Sequence, residues 1–559
     1  MSVTITSEDI HLIKQPSVEC FVRINVLNED GTVLDSLDGI IAGGTANVDA
    51  NSDIRRTCSF TIIPTRKQDI KVNEASYIWL NRTIKIEIGL KNLRTEEIKW
   101  YSQGYYIYTD TSGNYDANTN TLQINCADFM ALLDGSRNGT LGQIQTIIPA
   151  YEEDNNTGEV LTYNYIRDAI IYTVGQLGRI SDIQVEDVGE YKGLESKNPD
   201  GYAAYRIANP TWNCVPYDLE FTCGDSVLTI LTTLRDLYPN YEMFFDINNV
   251  FICQMKPSGY DDDIILTDDY VQQILISENT ESTSLDFTEV KNISEVWGEV
   301  IEADFYTESG VTYSGNVYIV PNSAYTSNSE TRYYNGDKVA FKVPTTNLAN
   351  PSVNIQSLGA IPIYDGENLN RLAAGVLIAG RTYTFKIKRT YSNGSYDTRA
   401  IYMGQYQPHG MTVLLSSASH SETYTTNLGV TVEKYSPEYF YQLYNVSPEA
   451  LTRTINPDSP FTIEKIGSIL QVEQREQCTT DDLALSQSNY NNFVSTRLTD
   501  NITITTLLAP FLDVNIKISY KPYNSDEANQ YIIDSLSHDF ENGITSITMH
   551  RFYPLYSWL

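Results

Sequence analysis

The five histidines, His11, His409, His420, His538 and His550, are the first residues to test for chemistry. None falls into an HxxxH or HExxH spacing, so no pair would share a helix face to hold zinc. No GxSxG elbow and no phosphate-cradling P-loop occurs. The seven cysteines are Cys20, Cys58, Cys126, Cys214, Cys223, Cys253 and Cys478. They include no CxxC and their number is odd, so neither a zinc knuckle nor a disulfide framework is indicated. Cys20, Cys58, Cys126 and Cys253 sit in apolar strand patterns, which predicts buried thiols. Asp261-Asp262-Asp263 with Asp268 and Asp269 has the oxygens calcium prefers but not the EF-hand spacing, and reads as a solvated loop. Glu152-Glu153-Asp154 reads as a surface loop as well. With 71 acidic residues, some carboxylate pair always meets the glycosidase separation, so that criterion carries no signal. The expectation is a protein that is not an enzyme, with no catalytic, cofactor-binding or metal-binding residue.

Charge and composition narrow the class further. The formal net charge is −33, from 71 acids against 38 bases. A general nucleic-acid binder carries a basic stripe. Here the densest basic stretch is the scatter near Arg55 and Arg56. The surface therefore repels DNA, which excludes specific nucleic-acid binding and suits a conduit that must not hold DNA. Apolar residues make up 41%, as in an ordinary globular protein. At 559 residues the chain exceeds the size of a single core, so three to five units are expected. The 41 tyrosines against 17 phenylalanines favour half-buried strands. MSVTITSEDIHLIKQP lacks a basic flank followed by an apolar run, so no signal peptide is expected. No apolar stretch is long enough for a membrane span.

The elements follow from periodicity. In residues 1–135, Val18–Leu27 alternates and turns at Asp30-Gly31 into Thr32–Leu37. Arg56–Ile62, Thr83–Ile88, Trp100–Tyr108 and Thr121–Cys126 alternate too, and Asp128–Leu133 reads as a short helix. Residues 136–295 are mixed α+β. A helical stripe runs over Tyr163–Leu177. A second helix is capped by Asp225 or Ser226 and stopped by Pro239, and a hairpin follows over Tyr241–Phe245 and Val250–Gln254. Residues 296–412 read as an inserted β domain, with Asn335-Gly336 and Asn393-Gly394 as hairpin turns. Residues 413–475 return to mixed patterning, with Pro437–Pro460 as a bridging loop. Residues 476–559 hold one helix over Asp481–Thr496. The strands Ile502–Thr505, Val514–Ser519, Gln530–Leu536 and Ile544–Arg551 follow, with a turn at Glu541-Asn542-Gly543. The fold class expected is mostly β with an α+β middle, in several domains.

Certain stretches resemble phage baseplate hub (tail-tip hub) proteins. Gly43-Gly44, followed by Asp53-Ile54-Arg55-Arg56-Thr57-Cys58-Ser59-Phe60-Thr61-Ile62, resembles that family's N-terminal strand. Trp100-Tyr101-Ser102-Gln103-Gly104-Tyr105-Tyr106-Ile107 resembles the strand after it. Asp286-Phe287-Thr288-Glu289-Val290-Lys291-Asn292 with Val296-Trp297-Gly298 resembles the return strand. Leu512-Asp513-Val514-Asn515, Tyr531-Ile532-Ile533-Asp534 and Gly543–Tyr553 resemble the closing hairpins. The order of these motifs over residues 1–300 and 460–559 makes the match.

The resemblance implies two tail-tube-like β-barrel domains, 1–135 and 476–559, flanking the mixed domains and the insert. It implies a structural hub in the virion tail, synthesised in the host cytoplasm. Three copies would form a ring that joins the tail tube to the central spike or tip and leaves a channel for DNA ejection. The partners implied are sister copies, a tail tube or distal tail protein, the spike and the tape measure protein. Strands around Arg55–Ile62 and Val514–Ser519 would form the ring wall, and sister copies would complete the exposed sheet edges. The insert has its own resemblance to a tail-fibre β module. It rests on Tyr334-Asn335-Gly336-Asp337-Lys338-Val339-Ala340-Phe341-Lys342-Val343-Pro344, on Asn350–Ile355 and on Ala360–Ile363. The sequence departs from that pattern after Gly380, where Tyr391–Thr398 reads as a long polar turn. The alternatives are an adhesin that meets a host surface through the insert and a tail-associated cell-wall hydrolase.

Overall fold

The computed structural model describes residues 5–28, 31–36, 41–64, 77–109, 114–142, 145–153, 160–186, 213–215, 218–237, 241–256, 263–277, 280–297, 303, 305–307, 309–321, 325, 332–365, 370–392, 395–405, 414–415, 420–421, 424–425, 431–432, 440–444, 461, 463–475, 491, 495 and 498–551. The fold is mostly β, in several sheets.

Period-two patterning forms the first strands. In Arg56–Ile62, the side chains of Arg56, Cys58, Phe60 and Ile62 are buried, and Thr57, Ser59 and Thr61 alternate outward. Thr83–Lys91 buries Ile84, Ile86, Ile88 and Leu90 completely. These strands belong to a 14-stranded sheet. Its path runs Ser282–Asp286, Thr499–Leu507, Ile544–Arg551, Asn529–Asp539, Ile41–Asp49, Arg56–Ile62, Thr121–Ala127, Ile98–Tyr108, Thr83–Lys91, Cys20–Leu27, Val33–Ser36. Ile41–Asp49 is the seam. It pairs with Arg56–Ile62 on one side and, from Thr45↔Asp539 to Asp49↔Ser535, with Asn529–Asp539 on the other. The first and last strand regions therefore complete one edge of each other within the chain. At this seam the edges are paired within the chain, where sister copies were expected to complete them. The alternating apolar faces of both regions can be buried against a single continuous sheet.

Gly44 lies on this seam. A Cβ there would stand 2.3 Å from the Ser59 carbonyl oxygen and 2.9 Å from Phe60 Cδ1. With no side chain at 44, its carbonyl accepts the Phe540 N–H at 3.0 Å, and Phe540 stacks on Phe60 at 5.6 Å.

Two cores lie along the sheet. One gathers Ile24, Phe60, Ile84, Tyr106 and Ile124 from the first strands. The other gathers Ile504, Ile518, Tyr531, Ile533 and Met549 from the last strands, and also Ile10, Leu12 and Ile13 of the helix Ser7–Ile13. The helix Asp268–Ile274 packs into this second core, and the strand Ile264–Leu266 pairs with Lys517–Tyr520. Val514–Ser519, expected as one strand, is extended only from Lys517, and Asn515 takes a positive φ of 61°.

A third core holds the helices Ile166–Tyr172 and Val227–Asp236 against the hairpin Tyr241–Phe245/Phe251–Met255. Ser226 caps the second helix by accepting the Thr229 N–H at 3.1 Å, as its sequence position predicts. The first helix widens into a π turn over Thr173–Leu177.

The insert is a nine-stranded sheet packed around Tyr318, Phe341, Tyr383 and Phe385. Three expectations change here. Asn335-Gly336 is a turn, but the strand it enters, Lys338–Lys342, pairs with Thr382–Ser392 and Phe305–Thr307, so it closes no hairpin. Tyr391–Thr398 is not a long polar turn. Thr382–Ser392 and Ser395–Gln405 stay in register from Arg389↔Thr398 through Tyr391↔Tyr396 to Ser392↔Ser395, because threonine and tyrosine suit a pleated edge as well as a loop. Pro437–Pro460 contains the strand Phe440–Tyr444, which pairs with Ile293–Trp297. The helix expected at 481–496 lies outside the described residues except for positions 491 and 495. No described helix is long and apolar enough to cross a membrane.

Candidate functional site

The strand Arg56–Ile62 carries an unusual passenger. Arg56 is in phase with Cys58, Phe60 and Ile62, so alternation delivers a guanidinium to the apolar face. A buried cation requires a partner. The Arg56 guanidinium donates to both carboxylate oxygens of Asp513, at 2.8 and 2.7 Å. Burial opposes the Arg56 charge, but the Asp513 carboxylate more than offsets it and holds the group protonated.

Arg55 is buried as well, with 3% of its side chain exposed, as is its partner Glu242. The two meet at 2.5 Å, and the guanidinium lies 3.7 Å over the Phe244 ring. Glu242 sits in Tyr241–Phe245, a strand buried along its whole length. Its carboxylate also accepts from Gln254 Nε2 at 2.9 Å and from Asn515 Nδ2 at 2.8 and 3.1 Å. The Glu242 carboxylate is thus fully engaged, which offsets its burial, whereas the Arg55 Nε–H is buried with no hydrogen-bond partner among the described residues.

Asp128 holds the strand's entry. Its carboxylate accepts the Arg56 N–H at 2.9 Å and the Met130 N–H at 3.0 Å, and so caps the short helix Phe129–Leu132. Burial pushes this carboxyl up to about 6, against the pull of those N–H groups and of Arg56 and Arg55. His538, fully buried nearby, is pushed down to about 4 by burial, with Asp513 and Arg56 as opposing charges. Its Nδ1 lies 2.9 Å from Thr545 Oγ1.

Three units meet in this cluster: the first strands through Arg55, Arg56 and Asp128, the middle hairpin through Glu242 and Gln254, and the last region through Asp513, Asn515 and His538. Its chemistry is that of a joint. Charge-assisted bonds are directional, so they set the angle between units where apolar packing alone would let them slide. Removing one partner of a buried pair strands the other charge at a cost of about 3–5 kcal/mol. Along the sequence Arg55 and Arg56 stand out as a basic scatter and as part of a strand motif, with no sign of their partners. The signal available was the phase of Arg56 on an apolar strand face.

Asn292 forms a second stitch. Fully buried, it donates to the Phe461 and Gly467 carbonyls at 3.0 and 2.7 Å and accepts the Ile469 N–H at 2.7 Å. It thereby ties the chain entering the insert to the chain leaving it.

The residues tested for chemistry do not converge. His11 is exposed on its helix, and His550 Nδ1 meets Asp534 at 2.7 Å. His409 lies outside the described residues, and His420 falls in a two-residue strand. Cys58, Cys126 and Cys253 are buried, whereas Cys20 is half-buried. Burial pushes the Cys20 and Cys253 thiols up to about 11 and about 12, far from a reactive thiolate. Asp261 and Asp262 lie outside the described residues. Asp268 accepts the Lys521 N–H at 2.7 Å. Among the described residues no group of three or more His, Cys, Asp or Glu side chains is placed to hold a metal.

Residues 458–556 match the model of a domain of unknown function, DUF5048. No curated protein sequence matches the chain. Several solved structures are similar at low identity. The 43 kDa tail protein of prophage MuSo2 from Shewanella oneidensis aligns with a TM-score of 0.40 and 8% identity, over 95% of this chain and 98% of that one. The prophage tail protein gp18 from Listeria monocytogenes aligns at 0.39 and 8%, over 94% of each chain. The tail protein from Neisseria meningitidis aligns at 0.41 and 7%, over 96% and 99%.

Proposed function

We propose that this chain is a structural subunit of a phage-type tail. In this reading it is a hub whose copies, three in number, form a ring between the tail tube and the central spike or tip. The reading rests on the order of the hub-like motifs and on one structural observation, not on global likeness to other structures. That observation is the single sheet running through both terminal regions. The motif residues Arg55, Arg56, Asp513, Asn515 and Asn292 are the ones that lock the units together. Joined at Ile41–Asp49, the two regions act as one curved wall segment of two tube-like domains.

Among the described residues the sheet path ends at Val33–Ser36 and at Ser282–Asp286. Both ends present apolar side chains: Val33 is 61% exposed and Leu285 52%. A strand at a sheet edge is a template for another strand. Sister copies would join there, with heterologous contacts that close into a ring. The net charge of −33 would line a channel that DNA passes without adhering. The location would be the virion tail. Tube, distal tail, spike and tape measure proteins would be the neighbours, and the insert would project outward.

Light scattering on the size-separated full chain tests this reading. Three copies per particle are expected. Val33→Lys with Leu285→Lys places charge on both edges and yields single copies with an unchanged circular dichroism spectrum. A wild-type chain that stays single at every concentration, or assembly indifferent to both lysines, rejects the ring.

A further inference from the structure

Two cysteines far apart in the sequence meet in the fold. Cys58 lies on Arg56–Ile62 and Cys126 on Thr121–Ala127, and the two are directly opposed across these antiparallel strands. Directly opposed residues share a sheet face, with Cα atoms about 4.5–5.5 Å apart. A disulfide spans about 4.4–6.8 Å between Cα atoms, so this register accommodates one without a shift of the strands. Both side chains belong to the core of the first strands, with Phe60, Ile62, Leu122 and Ile124, and expose only 4% and 2%. The thiols are in contact: burial and a hydrogen bond with Cys126 hold the Cys58 thiol well above its ordinary value. Cys20 and Cys253 have no such neighbour, since Leu90 and Met243 oppose them.

The pair sits beside the joint. Cys58 follows Arg56 by two residues, and Cys126 precedes Asp128 by two. Arg56 and Asp128 are themselves opposed, with the Asp128 N–H donating to the Arg56 carbonyl at 2.9 Å. Arg56 carries the ion pair to Asp513. A covalent bond between Cys58 and Cys126 therefore fastens the two strands next to the residues that join the first region to the last.

We propose that Cys58 and Cys126 form a redox modification site, a dithiol that a small disulfide of the glutathione class converts to a Cys58–Cys126 disulfide. The thiolate of one cysteine attacks a sulfur of the small disulfide, which gives a mixed disulfide and expels one small thiolate. The thiolate of the other cysteine attacks the protein sulfur of that mixed disulfide. The Sγ–Sγ bond forms and the second small thiolate leaves. Two cysteine thiols are oxidised, one small disulfide is reduced to two thiols, and the two cysteine protons pass to the leaving thiolates. Burial keeps the oxidant away from the closed strands, so the exchange runs when they part, during folding or in slow local opening. A reducing cytoplasm holds the pair open, and oxidising surroundings hold it closed. A tail subunit would thus gain the bond after release of the particle. That timing rests on the tail reading, whereas the bond itself does not.

The test is to make the full chain in two cell-free translations, one kept reduced and one supplied with oxidised glutathione. Free thiols are then alkylated in urea and the peptides mapped. Most chains from the oxidised translation should carry a Cys58–Cys126 cross-link, lighter by two hydrogens than the dithiol form, and those from the reduced translation none. Amide exchange in Arg56–Ile62 and Thr121–Ala127 should be at least about tenfold slower in the cross-linked chain. Cys58→Ala with Cys126→Ala should abolish that difference between the two translations. If the doubly substituted chain does not fold, the peptide map and exchange of the parent decide alone. The proposal is overturned if both thiols from the oxidised translation are alkylated, or if either cysteine pairs mainly with another. It is equally overturned if the cross-link forms and leaves exchange in both strands unchanged. The map reads the bond whether or not copies assemble, so a failure of the ring reading leaves its result standing.

Discussion

At the scale of single residues, the joint around Arg56 holds two titrating groups that oppose each other. His538 is kept neutral by burial, with its folded value near 4 instead of 6.5. Its contribution to stability is therefore complete above pH 6.5 and is lost as pH falls from there through 4. Asp128 is displaced the other way, to about 6 from 3.8. Its ionisation penalises the fold as pH rises from 3.8 through 6, and acidification removes that penalty. Each displacement corresponds to about 3 kcal/mol, so the two cancel between pH 6.5 and 4. Urea unfolding at those two pH values should show this. Relative to wild type, His538→Gln should shift the change on acidification by about 3 kcal/mol towards stabilisation, and Asp128→Asn should shift it by a similar amount the other way. If neither substitution alters the response to pH, the two groups are not buried as described.

At the scale of elements, the strands are held by their alternation, but the passage into and out of the insert is held by one amide. Asn292 uses its side-chain oxygen and both its donors on backbone partners 169–177 residues away in sequence. Asn292→Ala breaks three bonds whose backbone partners lie on half-buried or exposed residues, at a cost of about 0.5–1.5 kcal/mol each. The segments flanking the insert should then be cut sooner in limited proteolysis, while cleavage within the joint around Arg55 should be unchanged. Equal cutting rates in the variant and the parent would remove Asn292 from this role.

At the scale of the whole molecule, the first helix belongs to the last core. Ser7–Ile13 is capped by Thr6 and Asp9 in a reciprocal box and lays Ile10, Leu12 and Ile13 against the strands of residues 499–551. Asp9 is anchored from the first region, accepting from Lys99 Nζ at 2.6 Å and Tyr101 Oη at 2.5 Å. Burial would raise the Asp9 carboxyl, but these bonds and those from Thr6 hold it below the usual range. A chain whose two ends share a core unfolds both together. Ile13→Ala, from a side chain with no exposure, should cost about 2–5 kcal/mol. Its effect should appear as lost hydrogen-exchange protection in Thr499–Leu507 and Ile544–Arg551. Loss confined to residues 5–20 would show that the helix merely rests on the surface.

The local elements were legible in the sequence because their causes are local. Ile544–Arg551 and Arg56–Ile62 follow from alternation, the helix after Ser226 from its cap, and the turn at Gly543 from a residue that accepts a φ of 66°. The threonine- and tyrosine-rich run over Tyr391–Thr398 was not legible, since those residues serve an edge strand and a polar loop equally. The joint was half legible: the phase of Arg56 announces a buried cation. Its partner, Asp513, stands 457 residues further along the chain, and no periodicity reaches that far. Such pairings are chosen by which surfaces pack when the sheet closes through Ile41–Asp49. Only the tertiary structure decided that the two terminal regions share one sheet, that the first helix fills the last core, and that Cys58 faces Cys126 across one strand pair.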